Sequence, residues 1–204
     1  MHAIPNGIDL PAWDRLWDSL PEPDPNRRPT ILAVSKLYPR KKIGVLVQAA
    51  PRIAARYPDL EVRIAGGGFE WEALQHLTDQ AGARPYITWL GDIDDRRQVV
   101  AEYKRCHVFT HPSIQDAFAN VCLESMASAR PLVVADAASM PDMVHAAGSG
   151  LVVPPEDPDA LAEALIALLD DETRRQEMGA NGRQFAQTMT WQRTAQQFID
   201  LVQS

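Results

Sequence analysis

Residues 111–127 of the chain read HPSIQDAFANVCLESMA. A β-rich run ends at Pro112, a short loop carries Asp116, and an amphipathic helix is predicted to begin near Asn120. This order places an acidic side chain at the carboxyl end of a strand, beside the free N–H groups of a helix start. A second carboxylate, Glu124, follows about one turn into the helix. The stretch therefore predicts a site for a ligand that is part sugar and part phosphate, because carboxylates bind hydroxyls and backbone N–H groups bind phosphate oxygens.

The same order of strand and helix recurs along the chain. From residue 30 onward, continuous apolar runs alternate with amphipathic stretches, which is typical of a parallel sheet covered by helices on both faces. We therefore predict an α/β fold with a Rossmann-like parallel sheet and right-handed crossovers. The predicted strands are residues 30–35, 60–65, 86–90, 106–111, 132–135 and 150–153, and the predicted helices are residues 44–56, 70–81, 94–105, 120–129, 141–146, 158–169, 173–188 and 191–202.

The first 29 residues have a different character, since prolines stand at positions 11, 21, 23, 25 and 29 among acidic residues and tryptophans. Proline disfavours helix at its own position and at the one before it. We therefore expect no helix through residues 21–29. Residues 1–29 are predicted to be a linker or arm on the surface of a nucleotide-sugar-binding domain formed by residues 30–204.

Composition limits the classes of function. The 204 residues are 46% hydrophobic and 23% charged, as in an ordinary globular protein, and the net charge of −7 argues against general binding to nucleic acids or anionic membranes. There is no apolar run near 18 residues and no basic-then-apolar signal region, so a cytoplasmic location is expected. Cys106 and Cys122 are too far apart for a CxxC motif; we expect buried free thiols, with a disulfide as the alternative.

Four cations, Lys36, Arg40, Lys41 and Lys42, cluster at the end of the first predicted strand of an otherwise acidic chain. Ligands of open parallel sheets bind at the carboxyl ends of the strands, so the position suits an anion. A solvated basic turn without a ligand is the alternative. Both His107 and His111 flank the fourth strand without a Ser or Cys partner motif, and we expect packing or rim histidines rather than catalytic ones. The five tryptophans are expected to be packing residues.

The spacing of Asp116 and Glu124, with seven residues between them, resembles the signature of retaining glycosyltransferases with two Rossmann-like domains, the family called group 1 or family 4. Four further segments resemble that family, in its order: residues 4–9 (IPNGID) its interdomain entry, residues 34–41 (VSKLYPRK) its first strand and phosphate loop, residues 64–68 (IAGGG) its second-strand turn, and residues 148–155 (GSGLVVPP) its late strand. Trp191 also matches a family position. The resemblance implies the C-terminal, donor-binding half of a GT-B architecture, without the N-terminal domain that binds the acceptor.

The resemblance also implies roles for individual residues. Lys36 stands where the family usually has arginine, and Lys41 matches the lysine that binds the donor diphosphate. These cations would stabilise the departing diphosphate as a divalent metal does in other transferases. No metal site and no cofactor is therefore expected, the nucleotide sugar being a substrate. Because lysine lacks the bidentate fork of arginine, Lys36 would act as a point charge.

For the rest of the donor, the resemblance implies that Glu124 accepts hydrogen bonds from the ribose hydroxyls and that Asp116 faces the transferred sugar. Further donor contacts are implied for the backbone of a larger set: Gly67, Gly91, Ile93, Phe118, Ala119, Asn120 and Val121. The chain departs from the family pattern at three positions. Asp116 replaces glutamate, and Ala117 and Ala119 replace glycines, which permit positive φ and close approach of a ligand.

The hypothesis that follows is the donor-binding domain of a retaining, metal-independent glycosyltransferase, with the acceptor bound by a separate or missing N-terminal domain. A non-catalytic nucleotide-binding or partner-docking module, from a truncated or split gene, is the alternative, and the departures at residues 116, 117 and 119 favour it modestly. A sugar-nucleotide epimerase of the same architecture is a third possibility, against which the spacing of the two acids speaks.

Overall fold

The computed structural model of the protein describes residues 5–116 and 118–203, apart from the side chain of Val202. Ile4 and Ala117 of the motifs above lie outside the described residues. Six strands form one sheet in which every neighbouring pair is parallel, which confirms the predicted α/β class. The strands are β1 Thr30–Val34, β2 Glu61–Ala65, β3 Ile87–Gly91, β4 Val108–His111, β5 Leu132–Ala135 and β6 Gly150–Val153.

Helices connect the strands and follow the last of them. In chain order they are α1 Leu10–Asp18, α2 Ile43–Arg56, α3 Trp71–Gln80, α4 Arg96–Arg105, α5 Asn120–Ala127, α6 Met140–Ala147, α7 Pro158–Asp170, α8 Glu172–Thr188 and α9 Trp191–Gln203, with a short 3-10 helix at Pro39–Lys41. From residue 30 onward, every predicted strand and helix is present, with ends that differ by up to two residues. The fourth strand differs at its start, because Cys106 closes helix α4 by donating its N–H to Glu102.

The order of the strands across the sheet is β3-β2-β1-β4-β5-β6. The chain therefore builds outward from β1 to β3, returns to the other side of β1, and builds outward again to β6. The carboxyl ends of β1 and β4 lie side by side where the order reverses. In open parallel sheets this reversal opens a crevice in which ligands bind.

The core is divided by the sheet into two layers. Ile31 and Leu32 are consecutive residues of β1, and both are completely buried. Since successive side chains of a strand point to opposite faces, Ile31 packs in the layer with α2 and α7 while Leu32 packs in the layer with α4 and α5. A strand that is buried on both faces needs apolar side chains at consecutive positions, which explains the composition of β1, TILAV.

The N-terminal segment contains a helix that the sequence analysis did not predict. Helix α1 begins just before Pro11, a position that tolerates proline, and Asp9 caps it by accepting a hydrogen bond from the N–H of Ala12 at 3.0 Å. Its Trp13 is 2% exposed and donates from Nε1 to the hydroxyl of Ser128 at 3.1 Å. Residues 21–29 contain no helix, as predicted. The domain boundary at residues 29 and 30 stays a prediction.

Three smaller points concern cysteine, tryptophan and membrane spans. Cys106 and Cys122 are both buried and free, as predicted. The expectation that all tryptophans pack was wrong for Trp191, which is 49% exposed at the start of α9. Among the described residues, no helix is long and apolar enough to cross a membrane.

A buried carboxylate, Glu61, lies at the amino end of β2 and is surrounded by arginines. Glu61 is 3% exposed and pairs with Arg28, Arg63 and Arg105 at distances of 2.9, 2.7 and 3.1 Å. Burial alone would raise the pKa of Glu61, but the hydrogen bonds from Arg28 and Arg63 outweigh it and lower the pKa from 4.5 to about 2. Because the pKa is lower in the folded state than in the unfolded chain, the ionised carboxylate stabilises the fold.

We expect Glu61→Gln to lower the free energy of unfolding at pH 7 by on the order of 2–3 kcal/mol, measured by urea titration. The contribution is complete above the unfolded pKa and is lost as pH falls through the folded pKa, so the deficit should shrink from about pH 5 downward. Glu163→Gln is the matched control, since Glu163 is 67% exposed in its pair with Arg52. A deficit that did not change with pH would contradict the assignment.

Candidate functional site

The candidate site residues gather at the carboxyl edge of the sheet. Lys36 follows β1, Gly67 follows β2, Asp92 follows β3 and Asp116 follows β4. Parallel pairing brings these four ends to one edge. The start of α5 lies at the same edge, so the structure brings two of the predicted cations, Lys36 and Lys41, together with the glycine loop and the start of the helix that carries Glu124.

A largely enclosed cluster of the site joins Lys41, Asp116 and His111. Lys41 Nζ lies 2.6 Å from Oδ1 and 2.7 Å from Oδ2 of Asp116. On the other side, His111 Nε2 lies 2.7 Å from Oδ2 of the same carboxylate. The Lys41, Asp116 and His111 side chains are only 12%, 16% and 2% exposed. The charge of Lys41 is therefore compensated by Asp116, which the sequence analysis had assigned to the sugar.

The direction of the hydrogen bonds in this cluster follows from the charge of Asp116. Burial alone would raise the pKa of Asp116, yet hydrogen bonds from His111 and Lys41 outweigh it and hold the pKa well below its usual range. Asp116 is therefore ionised and can only accept, so His111 donates through Nε2. The buried Nδ1 of His111 has no hydrogen-bond partner among the described residues. His111 thus orients Asp116, a role that the sequence analysis did not assign; its position five residues before Asp116 at a strand end was the available signal.

A second ion pair occupies the exposed side of the edge. Lys36 Nζ lies 2.7 Å from Oδ1 of Asp92, and the two side chains are 60% and 51% exposed. The same oxygen accepts a hydrogen bond from the backbone N–H of Gly67 at 2.9 Å. Both hydrogen bonds lower the pKa of Asp92, and the one from Lys36 has the larger effect. Asp92, which the sequence analysis passed over, binds two of the donors that the analysis assigned to the nucleotide.

The glycine loop packs closely against the phosphate loop. Gly66 has φ +132°, and a Cβ atom there would lie 1.8 Å from the carbonyl oxygen of Ser35. Gly68 has φ +157°, and its Cβ would lie 2.5 Å from the carbonyl oxygen of Leu37. Both positions therefore require glycine. The loop places the N–H of Gly67 and the ammonium group of Lys36 against the same oxygen of Asp92.

The phosphate loop is also tied to the loop that carries Asp116. The carbonyl oxygen of Arg40 accepts hydrogen bonds from Ile114 N at 2.9 Å and from Ser113 Oγ at 3.2 Å. Lys42 turns outward and pairs with Glu156 at 2.7 Å, while the guanidinium of Arg40 lies 5.0 Å from the ring centre of Tyr38. Of the four predicted cations, only Lys36 and Lys41 are therefore at the site.

Helix α5 begins without a side-chain cap. Its N-cap residue, Ala119, is 4% exposed and makes no side-chain hydrogen bond, because alanine has no polar atom to cap with. The backbone of Ala119 has φ −83° and ψ 90°, which any residue adopts. Alanine at this position therefore causes no backbone strain, although the family pattern has glycine. Within the described part of the chain no side chain caps this helix start, so the first N–H groups, those of Asn120 and Val121, could bind an anion.

Glu124 lies one turn into α5 and is 8% exposed. Arg96 Nη1 lies 2.9 Å from its Oε1, and the hydroxyl of Tyr103 lies 3.2 Å from its Oε2. Burial raises the pKa of Glu124, and the contacts with Arg96 and Tyr103 offset only part of that rise. These two contacts hold the carboxylate in a fixed orientation, although its burial is unfavourable. Burial of a glutamate is unusual for a residue that serves only to build a helix.

Two cavities flank this turn of α5. One, of about 240 Å³, is lined by Lys36, Gly66, Asp92, Ile93, Val99 and Val121 among others. Its apolar walls and polar rim suit a flat ring that carries a charged substituent. Gly91, predicted to contact the nucleotide, has φ +67°, and its carbonyl oxygen accepts from the N–H of Gly66 at 2.7 Å. Phe118 packs partly buried against the core rather than against this cavity.

The second cavity, also of about 240 Å³, lies between α5 and the N-terminal segment. Glu124, Arg96, Asn120, Trp13 and Trp191 line it together with backbone of residues 7–9. Asn6 donates from Nδ2 to Oδ1 of Asn120 at 3.0 Å, which holds the segment against the start of α5. Within the described residues, no group of three or more His, Cys, Asp or Glu side chains could hold a metal ion.

Comparison with known proteins places this geometry in a family. The family described as Glycosyl transferases group 1 matches residues 19–185. A phosphatidyl-myo-inositol mannosyltransferase of Mycolicibacterium smegmatis is 32% identical over 174 residues, which are 84% of this chain and 44% of that protein. A D-inositol 3-phosphate glycosyltransferase of Corynebacterium glutamicum is 30% identical over 82% of this chain and 41% of that protein. The chain thus spans less than half the length of these two curated relatives.

Solved structures agree in fold. The sucrose-phosphate synthase of Thermosynechococcus elongatus has a TM-score of 0.82 and 27% identity, covering 99% of this chain and 52% of that one. Anabaena HepE, solved with UDP and glucose, has a TM-score of 0.82 and 20% identity, covering 100% and 56%. The C-terminal domain of a group 1 glycosyl transferase from Francisella tularensis has a TM-score of 0.73 and 20% identity, covering 89% and 97%. The chain is a glycosyltransferase domain of group 1, with the fold of the C-terminal half of a GT-B enzyme.

Proposed function

We propose that this domain binds the nucleotide-sugar donor for a retaining, metal-independent glycosyl transfer. The observation that carries the proposal is the meeting of Lys36, Lys41 and the uncapped start of α5 at one sheet edge of a chain with a net charge of −7. Cations and helix N–H groups at the reversal of strand order suit a diphosphate. Anabaena HepE, which shares this fold and was solved with UDP and glucose, supports the same ligand class.

In this proposal Lys41 and Lys36 stabilise the diphosphate as the glycosidic C–O bond breaks. Positive charge placed in advance where negative charge develops lowers the barrier without a metal ion. Asp116, oriented by His111, accepts hydrogen bonds from hydroxyls of the transferred sugar. The acceptor oxygen then bonds to the sugar carbon on the face that the diphosphate leaves, and the departing phosphate takes the acceptor's proton. The reaction therefore needs no protein base and retains the configuration at that carbon.

Glu124 and the cavity beside Ile93 are proposed to hold the nucleoside. The cavity's apolar walls take the base, and the carboxylate one turn away accepts from the two ribose hydroxyls, because its two oxygens match a diol. Arg96 and Tyr103 keep the carboxylate in place before the ligand arrives. Backbone contacts to the base carry no side-chain identity, so the choice among uracil, guanine and adenine is a matter for measurement.

The acceptor is proposed to bind to an N-terminal Rossmann-like domain outside these 204 residues. Helix α9 presents Phe198 and Ile199, which are 55% and 48% exposed, together with the half-exposed Trp191. Apolar residues at this exposure on one helix favour contact with another domain. The share of the relatives that the chain spans, 44% and 41%, fits the same division into two domains.

One observation favours the alternative of a non-catalytic module. Both site lysines are already paired with carboxylates, Lys41 with Asp116 and Lys36 with Asp92.

Calorimetry with UDP, GDP and ADP sugars, with and without a candidate N-terminal domain, tests the proposal. Binding of one donor, and turnover when the second domain is supplied, is the expected result; binding without turnover under any condition would identify a module instead.

We expect Lys41→Ala to weaken binding of the preferred nucleoside diphosphate by roughly 1.5–3 kcal/mol, the range for a hydrogen bond to a charged group. The loss removes the cation and also leaves Asp116 uncompensated near the phosphates. Titration calorimetry measures it. Lys42→Ala is the matched control, since Lys42 pairs outward with Glu156. An unchanged isotherm for Lys41→Ala would rule out the diphosphate assignment.

Asp92→Asn should tighten binding of the nucleoside diphosphate about two- to five-fold, as expected for an exposed charge pair. The substitution removes the negative charge that competes with a phosphate for Lys36, while the amide oxygen of asparagine can still accept from the N–H of Gly67. The gain should be absent for the nucleoside without phosphates and should decline with added salt. Asp94→Asn, at the rim of the same cavity, is the control. Equal tightening for nucleoside and nucleotide would show that the competition does not exist.

Nucleotide affinity should fall with decreasing pH as Glu124 takes up a proton. Because the pKa of Glu124 is raised, the decline begins at a higher pH than for an ordinary carboxylate. Glu124→Gln should bind more weakly at neutral pH and should lose this pH dependence, since it has no proton to gain. Parallel titrations with the 2′-deoxy nucleotide locate the contact: the variant's deficit should be smaller for the deoxy ligand.

A further inference from the structure

Another cavity, distinct from the two beside α5, lies at the opposite edge of the sheet from the candidate donor site and is rich in cations. Its volume is about 420 Å³, and its lining includes Arg27, His107, Arg130 and Arg175. His107 precedes β4 and Arg130 precedes β5 by two residues, so this cavity opens at the amino ends of the strands. The donor site described above uses none of these residues.

The three arginines lack carboxylate partners within the part of the chain that is described. Arg27 donates from Nε to the carbonyl oxygen of Arg105 at 2.7 Å and from Nη1 to the carbonyl oxygen of Asp24 at 3.2 Å. Arg130 donates to the carbonyl oxygens of Tyr103 and Lys104 at 2.9 and 2.8 Å. Arg175 donates through Nη1 to the carbonyl oxygens of Leu168 and Leu169 at 2.8 and 2.6 Å. By contrast, Arg28, Arg63 and Arg105 near the same edge all pair with Glu61.

Carbonyl hydrogen bonds hold these guanidinium groups in place without neutralising them. Each guanidinium has five N–H donors, and the contacts named above use only one or two, so several donors of each group remain for a ligand. All three side chains are half-buried, which limits screening of their charge by water. The two carboxylates that line the cavity are exposed, and Glu22 is already paired with Lys104 at 2.7 Å.

The mutual influence of these charges is visible in His107. Its Nδ1 accepts the N–H of Thr30 at 3.0 Å, so the proton of the neutral ring is on Nε2. Burial first, and then the charges of Arg27, Arg175 and Arg130, lower the pKa of His107 to about 4. The ring is therefore neutral at pH 7 and offers one more N–H donor, while the positive field around it remains uncompensated.

We propose that this cavity, formed by Arg27, Arg130, Arg175 and His107, binds the phosphate group of a small phosphorylated molecule. Guanidinium groups match the geometry of phosphate oxygens through paired N–H donors, and three of them compensate a doubly charged phosphate monoester. A volume of about 420 Å³ lies within the range of small-molecule sites and leaves room for a group of sugar size attached to the phosphate. The site is separate from the donor site and does not depend on the function proposed for that site.

The test is titration calorimetry of the whole chain with inorganic phosphate and with glycerol 3-phosphate at constant chloride, in the wild type and in Lys41→Ala. Saturable binding in both proteins is expected, because Lys41 is at the other edge. Vesicles that contain phosphatidic acid, against phosphatidylcholine alone, show whether a lipid headgroup supplies the same phosphate. Absence of binding to all of these probes, or its loss in Lys41→Ala, would overturn the proposal.

Arg27→Gln and Arg175→Gln should each weaken phosphate binding about ten-fold or more, as expected for a charge-assisted hydrogen bond. Arg84→Gln is the matched control, since Arg84 is an exposed arginine paired with Asp79 away from the cavity. Equal weakening by the control would contradict the assignment. Should the cavity variants fail to fold, amide NMR of the wild type decides: phosphate must shift the resonances of residues 107, 130 and 175, and shifts confined to residues 36–41 would overturn the proposal.

Discussion

The parallel pairing of β1 with both β2 and β4 determines which residues meet at the two edges of the sheet. Register places Ile31 opposite both Val62 and Val108, so three strands end at the same level. Polar residues that directly follow these strands therefore meet at one edge, although up to about 80 residues separate them in sequence. The residues that precede the strands meet at the other edge, which is why a chain with a net charge of −7 has cations concentrated at both edges.

Much of this could be predicted from sequence, for physical reasons that differ between elements. The continuous apolar run at Thr30–Val34 allows only a strand buried on both faces, and the acid spacing from Asp116 to Glu124 places both carboxylates near one helix start. Helix α1 was missed because prolines dominate the composition of residues 11–29, whereas a single proline in the first turn is compatible with a helix.

Contacts between distant side chains could not be predicted, because they depend on rotamers and register rather than on local pattern. Nothing in the spacing shows that Lys41 pairs with Asp116, that His111 orients the same carboxylate, or that Asp92 contacts Lys36. Ala119 shows the reverse: it replaces a glycine of the family pattern, a residue that permits positive φ, but the backbone at Ala119 has an ordinary negative φ. The backbone conformation at this position therefore does not require glycine in this chain.

These pairings change how a donor would bind. Each site lysine already has a carboxylate partner, so neutralising the lysine charge adds little to the binding free energy of a diphosphate. Binding is favoured instead because the larger negative charge of the diphosphate replaces the carboxylate or adds to it. At the exposed Lys36 this exchange takes place in water and costs little. At the enclosed Lys41, Asp116 is held by His111 as well, so the carboxylate remains while the phosphate approaches. In the function proposed above, the sugar next to the diphosphate would then contact an ionised, oriented Asp116, whose negative charge would stabilise an oxocarbenium-like transition state.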